Sequence, residues 1–321
     1  MGGASFVAGD WGTSNLRLFL CDADGAALDQ LTGPGVAEVA GSSGAAGFAD
    51  TFDSLTAPWQ AAHAVLPAVL CGMVGSSIGW IQAPYVPCPA MPEQIIDACT
   101  ALPGARIHIV PGLSCRNRFN APDFMRGEET QILGALTRVP ELSRGTRLLC
   151  LPGTHTKWVV LVDGLLRDFF TAPSGELFAL LCEHSVLVRK PKGDAPADLA
   201  AFQAGLARFN EFPNAQLLHR LFECRSRQLS GELAAQSADA YLSGLLIASD
   251  VHGALGALSG AVAERSVCLI GTDRLLQLYA LALQSHGFAA LPVEGAAAAL
   301  AGLSRVQQRL TLAQHQVTHG A

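Results

Sequence analysis

Asp10-Trp11-Gly12-Thr13-Ser14-Asn15, near the start of the chain, and Leu151-Pro152-Gly153-Thr154-His155-Thr156-Lys157, near its middle, are two copies of one turn. Gly12 and Gly153 stand 141 residues apart. The first copy runs on into Leu16-Arg17-Leu18-Phe19-Leu20 and the turn Asp22-Ala23-Asp24-Gly25; the second runs on into Val159-Val160-Leu161-Val162 and Asp163-Gly164. Each reads as apolar strand, Gly-Thr-polar tip, apolar strand and Gly turn, which predicts a β-hairpin with a polar tip and a third strand after it. A tip of glycine and hydroxyls offers backbone N–H and O–H donors together, a concavity suited to anions. Two such tips, one from each half, can close on a polyphosphate from both sides.

The 321 residues and the half-chain spacing predict two domains, residues 1–143 and 144–321. Half of the residues are hydrophobic and 15% charged, enough for packed cores and unlike a disordered chain. The mean hydropathy is +0.31, yet no apolar run reaches 18 residues and Ala296 to Leu303 is too short to span a bilayer. No basic segment followed by an apolar stretch opens the chain, so no signal peptide is expected. Net charge is −6 without a basic run, which argues against nucleic acid as a partner. The nine cysteines come no closer than Cys88 and Cys99, form no CxxC knuckle, and suit reduced core thiols of a cytoplasmic protein. A homo-oligomer is left open.

Along the chain, Gly33 to Gly47 reads as a loop and Phe48 to Ala64 as a helix. A buried strand ends at Ala68-Val69-Leu70. The prolines of Ala83 to Ala90 exclude regular helix or central strand there. Ile107 to Val110 reads as a strand, Pro122 to Val139 as a helix. In the second half, Leu148 to Leu151 and Val267 to Ile270 read as strands, and helices are expected around 177–182, 199–209 and 238–251. A last strand (Phe288 to Val293) and a tail helix (Leu300 to about His315) follow, the latter free to pack back on the first lobe. This alternation predicts an α/β protein of two similar lobes.

Several residues invite chemistry. Asp10 directly precedes the first tip, where a carboxylate would repel phosphate unless a cation such as Mg²⁺, held through water, lay between them; the alternative is a turn Asp bonded to its own backbone. Gly12, Thr13, Ser14 and Asn15, with Gly153, Thr154, His155 and Thr156, are the phosphate-binding candidates. Lys157 would add a point charge or be a solvated surface Lys. In the helix expected after Pro122, Asp123 takes an N-cap position, and Met125, Ile132, Leu136 and Val139 share one face. Glu128 and Glu129 flank that stripe. A desolvated Glu has a raised pKa and can take a proton from a substrate hydroxyl; the alternative leaves both in water. Arg126 could clamp a carboxylate or phosphate through two nitrogens. Gly271 and Thr272 end a strand and open a helix, where a nucleotide's phosphate or ribose edge meets helix N–H groups. Gly75, Ser76 and Ser77 with Trp80 offer small donors and an aromatic wall for a polyhydroxylated substrate, or a packing turn with a core Trp.

Taken with Cys71-Gly72-Met73-Val74-Gly75-Ser76, Ala83 to Ala90, Met125 to Gln131 and Gly175-Glu176-Leu177-Phe178, the two tips make the chain resemble the 2-dehydro-3-deoxygalactonokinase family. That family stands within the superfamily of acetate and sugar kinases, heat-shock ATPases and actin. Ala172-Pro173-Ser174 and Gly271-Thr272-Asp273 depart mildly from its pattern. The resemblance implies an actin-like, ribonuclease H-like duplication: two lobes of mixed sheet and flanking helices with the active-site cleft between them. It implies ATP-dependent phosphorylation of the 6-hydroxyl of 2-dehydro-3-deoxy-D-galactonate, with Mg²⁺, in D-galactonate breakdown. Glu128-Glu129 is also similar to the Gly-x-Glu-Glu segment of exopolyphosphatases, which places Glu128 first and Asp123 second as base. A kinase for another sugar, or a nucleotide-switch protein without catalysis, is the alternative.

Overall fold

The computed structural model describes residues 3–63, 65–188, 198–212, 216–258, 260 and 264–319. The expected end of the first long helix, Ala64, lies outside them. Contacts divide the chain into two compact units: unit 1 holds Met1–Gly145, Val159–Phe169 and Val293–Ala321, and unit 2 holds Thr146–Trp158 and Phe170–Pro292.

The chain opens with three antiparallel strands, β1 (Ala4–Trp11), β2 (Asn15–Asp22) and β3 (Ala27–Pro34), followed by α1 (Val36–His63) and β4 (Ala68–Gly72). β4 pairs parallel to β1. Then come β5 (Tyr85–Pro87), α2 (Pro92–Asp97), β6 (Thr100–Ala101), β7 (Ile107–Ile109), β8 (Gly112–Arg116) and β9 (Pro122–Met125). One sheet has the order β3-β2-β1-β4-β7-β6; a small one has the order β5-β8-β9. β1 and β4 are central strands, which explains their near-continuous apolar runs. Leu16, Leu18, Leu70 and Ile109 of this sheet are fully buried with Trp11 and Phe48, whose rings meet edge to face at 5.3 Å.

After α3 (Glu128–Arg138) the hairpin recurs as β10 (Thr146–Leu151), β11 (Thr156–Val162) and β12 (Leu165–Ala172). Helices α4 (Ser174–His184), α5 (Leu199–Glu211), α6 (Leu217–Leu221), α7 (Glu223–Ser230) and α8 (Ala238–Ala257) follow. The chain closes with β13 (Ser266–Gly271), α9 (Asp273–Ser285), β14 (Ala289–Glu294) and α10 (Gly295–His319). The third sheet has the order β12-β11-β10-β13-β14.

Two expectations are corrected. Gly33 to Gly47 is not a loop: α1 begins at Val36, with Val36 and Val39 buried in the unit 1 core, and bends at Gly44, whose φ of 61° breaks the helix locally. Pro122 to Val139 is not one helix. Residues 122–125 form β9, pairing antiparallel with β8 (Cys115 opposite Asp123), and α3 starts only at Glu128 after Gly127 at φ 108°. Asp123 is therefore a strand residue and caps nothing.

The last helix packs on α3 through glycines. A Cβ on Gly134 would lie 1.8 Å from the Ala298 carbonyl oxygen, and one on Gly302 would lie 2.0 Å from that of Thr130. Both obstacles are backbone, so they do not yield as a side chain would. Gly134→Ala should destabilise the protein by about 1–3 kcal/mol, the usual cost of overpacking, read as a lowered thermal midpoint. An unchanged midpoint would show that the two helices do not approach this closely.

Candidate active site

In unit 1 the tip Gly12-Thr13-Ser14 is held from behind by the start of α1. The Val36 and Ala37 amides donate to the Gly12 and Thr13 carbonyls at 3.0 and 3.1 Å. The approach is close enough that a Cβ on Gly35 would fall 2.2 Å from the Thr13 oxygen. With those carbonyls occupied, Thr13, Ser14 and Asn15 stay exposed. Ser14 and Asn15 border a hollow of about 400 Å³ that Asp10 and Arg17 also line. Asp10 and Arg17 are cross-strand partners in the β1–β2 register, and Arg17 Nη2 reaches Asp10 Oδ2 at 2.7 Å. Among the described residues, Asp10 Oδ1 has only a long contact from the Cys71 thiol, at 3.9 Å. No cluster of three or more His, Cys, Asp or Glu that could hold a metal occurs among the described residues. One carboxylate oxygen beside exposed hydroxyls still fits Mg²⁺, which binds through one or two carboxylates, its own waters and substrate phosphates.

Behind Asp10, β4 ends in Gly72 at φ 91°, where a Cβ would sit 2.8 Å from the Trp11 carbonyl oxygen and 3.5 Å from Asp10 Oδ1. Gly127 meets Gly72 there: a Cβ on it would lie 3.4 Å from the Gly72 Cα. Two glycines in left-handed backbone thus bring the start of α3 beside the end of β4. Glu128 and Glu129 occupy that start in different ways. Glu128 is half-buried and accepts the Arg126 amide at 3.1 Å. Glu129 is completely buried, accepting the Gly127 amide at 2.7 Å and the Thr130 hydroxyl at 3.0 Å. Burial, reinforced by the neighbouring Glu128, pushes the Glu129 carboxyl up to about 8.

Ser76 and Arg126 define a second feature of unit 1. Arg126 stacks over the Tyr85 ring at 4.3 Å and donates through Nη2 to the Ala83 carbonyl at 2.8 Å. Its Nη1 is buried with no partner among the described residues, and so is Ser76 Oγ. Ser76 follows Gly75 in the chain, and Nη1 approaches Gly75, where a Cβ would lie 2.8 Å from it. The expected two-nitrogen clamp is corrected: Nη2 also reaches the Pro84 carbonyl and Nε the Tyr85 hydroxyl, both at 3.4 Å, so Nη1 is the nitrogen without a partner among the described residues. Ser77 is exposed. Trp80 is half-buried and packs on the unit 1 core, its ring meeting Trp11 at 6.2 Å and Phe52 at 5.9 Å. Asp123 accepts the Asn117 side-chain amide at 3.1 Å within the β8–β9 hairpin.

Unit 2 builds its tip the same way. The Glu176 amide, in the first turn of α4, donates to the Thr154 carbonyl at 2.9 Å, and a Cβ on Gly175 would fall 2.3 Å from the Gly153 oxygen. His155 Nε2 meets Glu176 Oε2 at 2.8 Å. Thr154 and His155 are exposed, but Thr156 and Lys157 are not: β11 is buried on both faces. Thr156 bonds the Tyr279 hydroxyl at 3.0 Å, and Lys157 Nζ donates to Thr171 on β12 at 2.8 Å. The expectation that these two reach phosphate from the tip is corrected accordingly. Beneath Gly153 lies a mostly apolar slot of about 240 Å³, walled by Phe178, Leu246, Ile247 and Leu278, with Ser174 and Arg274 at its edge. Gly271 and Thr272 lead into α9, which carries Arg274.

The equivalence of Gly35 and Gly175 escaped the reading of the sequence although a signal existed. Each follows its tip glycine at nearly the same distance, 23 residues for Gly12 to Gly35 and 22 for Gly153 to Gly175, and each comes just after a proline, Pro34 or Pro173. The repeat therefore extends past the hairpin to the helix that holds it.

Two hydroxyl-bearing hairpin tips, each backed by a helix start, together with an apolar slot and a paired-Glu helix, define a nucleotide-dependent phosphotransferase of the actin-like α/β fold. The family model described as 2-keto-3-deoxy-galactonokinase matches residues 10–306, and the chain belongs to that family. It is 40% identical over 304 residues to a protein named probable 2-dehydro-3-deoxygalactonokinase from Rhizobium meliloti (strain 1021), covering 93% of this chain and 95% of the relative. It is 35% identical to the 2-dehydro-3-deoxygalactonokinase of Escherichia coli (strain K12), covering 94% and 97%. A crystal structure of a protein assigned the same activity from Sinorhizobium meliloti superposes with a TM-score of 0.85 at 39% identity, covering 95% of this chain and 99% of that one.

Glu129 yields a pH test. Between its ordinary value of 4.5 and about 8, the unfolded chain has released this proton and the folded chain has not. Stability therefore falls as pH rises through that window. In Glu129→Gln that contribution disappears, so the denaturant midpoint of wild type relative to the variant should decline from pH 5 to pH 8. A difference that stays flat would show that Glu129 ionises like an ordinary carboxyl.

Proposed function

We propose that this chain is an ATP-dependent sugar-acid kinase that phosphorylates the 6-hydroxyl of 2-dehydro-3-deoxy-D-galactonate, giving the 6-phosphate and ADP in D-galactonate breakdown. The observation that carries the sugar-acid assignment is the pair of buried, unpartnered donors beside Gly75, Ser76 Oγ and Arg126 Nη1. A buried donor without a partner is costly, and a hydroxylated carboxylate would supply the missing acceptors. The family membership supports the same reading.

Each residue's role follows from its place. Gly12, Thr13, Ser14 and Asn15 in unit 1, and Gly153, Thr154 and His155 in unit 2, are phosphate-binding elements. The apolar slot under Gly153 takes the nucleotide's base, with Arg274 lining it and Gly271 and Thr272 just before the helix that carries Arg274 as further nucleotide-binding candidates. Asp10 would hold Mg²⁺ through water, using the oxygen that Arg17 leaves open. When bound, that ion neutralises charge on the phosphates; positioning and charge stabilisation carry most of phosphoryl transfer. Glu128 accepts the proton of the attacking hydroxyl. Glu129, neutral and buried beside it, keeps the first turn of α3 on Gly127. Ser76 and Arg126 orient the sugar acid, the guanidinium being immobilised on Tyr85 and Ala83. Nine cysteines without a disulfide and no helix long and apolar enough to cross a membrane, among the described residues, accord with a cytoplasmic location.

A coupled ADP assay with 2-dehydro-3-deoxygalactonate and its gluco epimer tests the reading. ADP release should depend on the sugar acid, and slow ATP turnover indifferent to it would favour a nucleotide switch instead. In the same assay Glu128→Gln should lower kcat by about 10²–10⁴-fold, the usual worth of a general base; near-normal turnover would move the role elsewhere. Arg126→Ala should raise KM for the sugar acid well above any rise in KM for ATP, whereas equal rises would remove it from the acceptor site.

A further inference from the structure

We propose that Asp250 is a positioning residue for nucleotide binding, fixing through one hydrogen-bonded network the three elements that shape the slot under Gly153. The proposal rests on the reading of that slot as the nucleotide site.

Asp250 lies on α8, a long helix whose other inward residues are apolar. Three donors from three elements converge on its carboxylate. Trp158 Nε1 of β11 reaches Oδ1 at 2.8 Å. Ser174 Oγ, the first residue of α4, and Tyr279 Oη of α9 both reach Oδ2 at 2.7 Å. An ionised carboxylate is acceptor-only and can take all three. Tyr279 has one hydroxyl proton, and it goes to Asp250; the Thr156 hydroxyl therefore donates to the Tyr279 oxygen across 3.0 Å. Thr156 immediately follows the exposed tip residues.

The network ends where the slot begins. Ser174 and Tyr279 line the cavity directly. Ser174 also precedes Gly175, which lies against the Gly153 carbonyl, and Glu176, whose amide holds the Thr154 carbonyl. Apolar packing alone would have been the simpler way to join α8, α9 and β11. Desolvation pushes the Asp250 carboxyl upward even against its three hydrogen bonds, so this acid costs stability that a Leu at the same place would not. What the acid supplies is direction: it fixes the Ser174 and Tyr279 hydroxyls, and with them the first turn of α4 under the tip. Buried networks of this kind specify one geometry when every member is satisfied.

The test uses the full-length protein and equilibrium ADP binding by calorimetry, together with steady-state kinetics. Asp250→Asn keeps the volume but turns N–H donors toward one side of a site that needs acceptors on both. ADP affinity should fall and KM for ATP rise by roughly tenfold, as expected for loss of hydrogen bonds to a charged group, while KM for the sugar acid stays unchanged. Tyr279→Phe and Ser174→Ala, which keep the packing, should weaken ADP in the same direction and combine non-additively with Asp250→Asn. They also replace it should the Asn variant fail to fold. Ser243→Trp, which fills the slot without removing any hydrogen-bonding group of the network, separates the two readings. If Ser243→Trp abolishes ADP binding while the network variants lower only the thermal midpoint, the Asp250 proposal falls and the nucleotide slot stands. If ADP binds Ser243→Trp as tightly as wild type, the slot assignment fails and the proposal with it.

Discussion

Everything functional in both units depends on one contact: the amides of a helix start taking the carbonyls of a hairpin tip. Backbone polar groups in a packed turn must be satisfied, and here the choice of partner decides what the tip can bind. The Gly12, Thr13 and Thr154 carbonyls are turned back onto α1 and α4. Partial negative charge is thereby drawn away from the surface, and hydroxyls are left facing outward. The contact is possible only because Gly35 and Gly175 have no Cβ, the neighbouring oxygens being 2.2 and 2.3 Å from where one would stand. Any other residue would push helix and hairpin apart and uncover the carbonyls.

Unit 1 also has to manage three carboxyls within a few residues of Gly72 and Gly127. It treats each differently. Asp10 is paired with Arg17 across the strand register. Glu129 is buried and holds its proton. Glu128 is half-buried and accepts the Arg126 amide. Environment, not residue type, separates the three carboxyls. The same logic governs Asp250 in unit 2, where three donors counter part of the desolvation of an acid.

What the sequence revealed follows from how local each signal is. The paired hairpins were legible because strand alternation and the Gly-Thr tips lie within some twenty residues. The places of Asp10, Gly12 and Thr154 at the hairpin tips were legible for the same reason. The region from Gly33 to Gly47 was misread because its Gly, Ala and Ser content outweighed two valines, Val36 and Val39, whose burial supplies the energy for the helix. β9 was misread because Pro-Asp before an apolar run looks alike at a helix start and a strand start; only pairing with Cys115 and its neighbours separates them. Lys157 and Trp80 were given roles at the surface, but burial on both faces of a central strand and a Trp–Trp contact claim them. Asp250 left no trace in the sequence, since its partner Trp158 is 92 residues away.

The route of the chain through unit 1 bears on how the protein is made. α3, which carries Glu128, packs against α10, and the two helices approach through Gly134 and Gly302. About 160 residues, including most of unit 2, are synthesised between them. A ribosome therefore releases the acid-bearing helix long before its partner exists, and unit 1 cannot complete its core until the C-terminal segment emerges. Such late, long-range closure is slow, and it leaves the apolar side of α3 uncovered throughout the translation of unit 2, the interval in which a chaperone has most to protect.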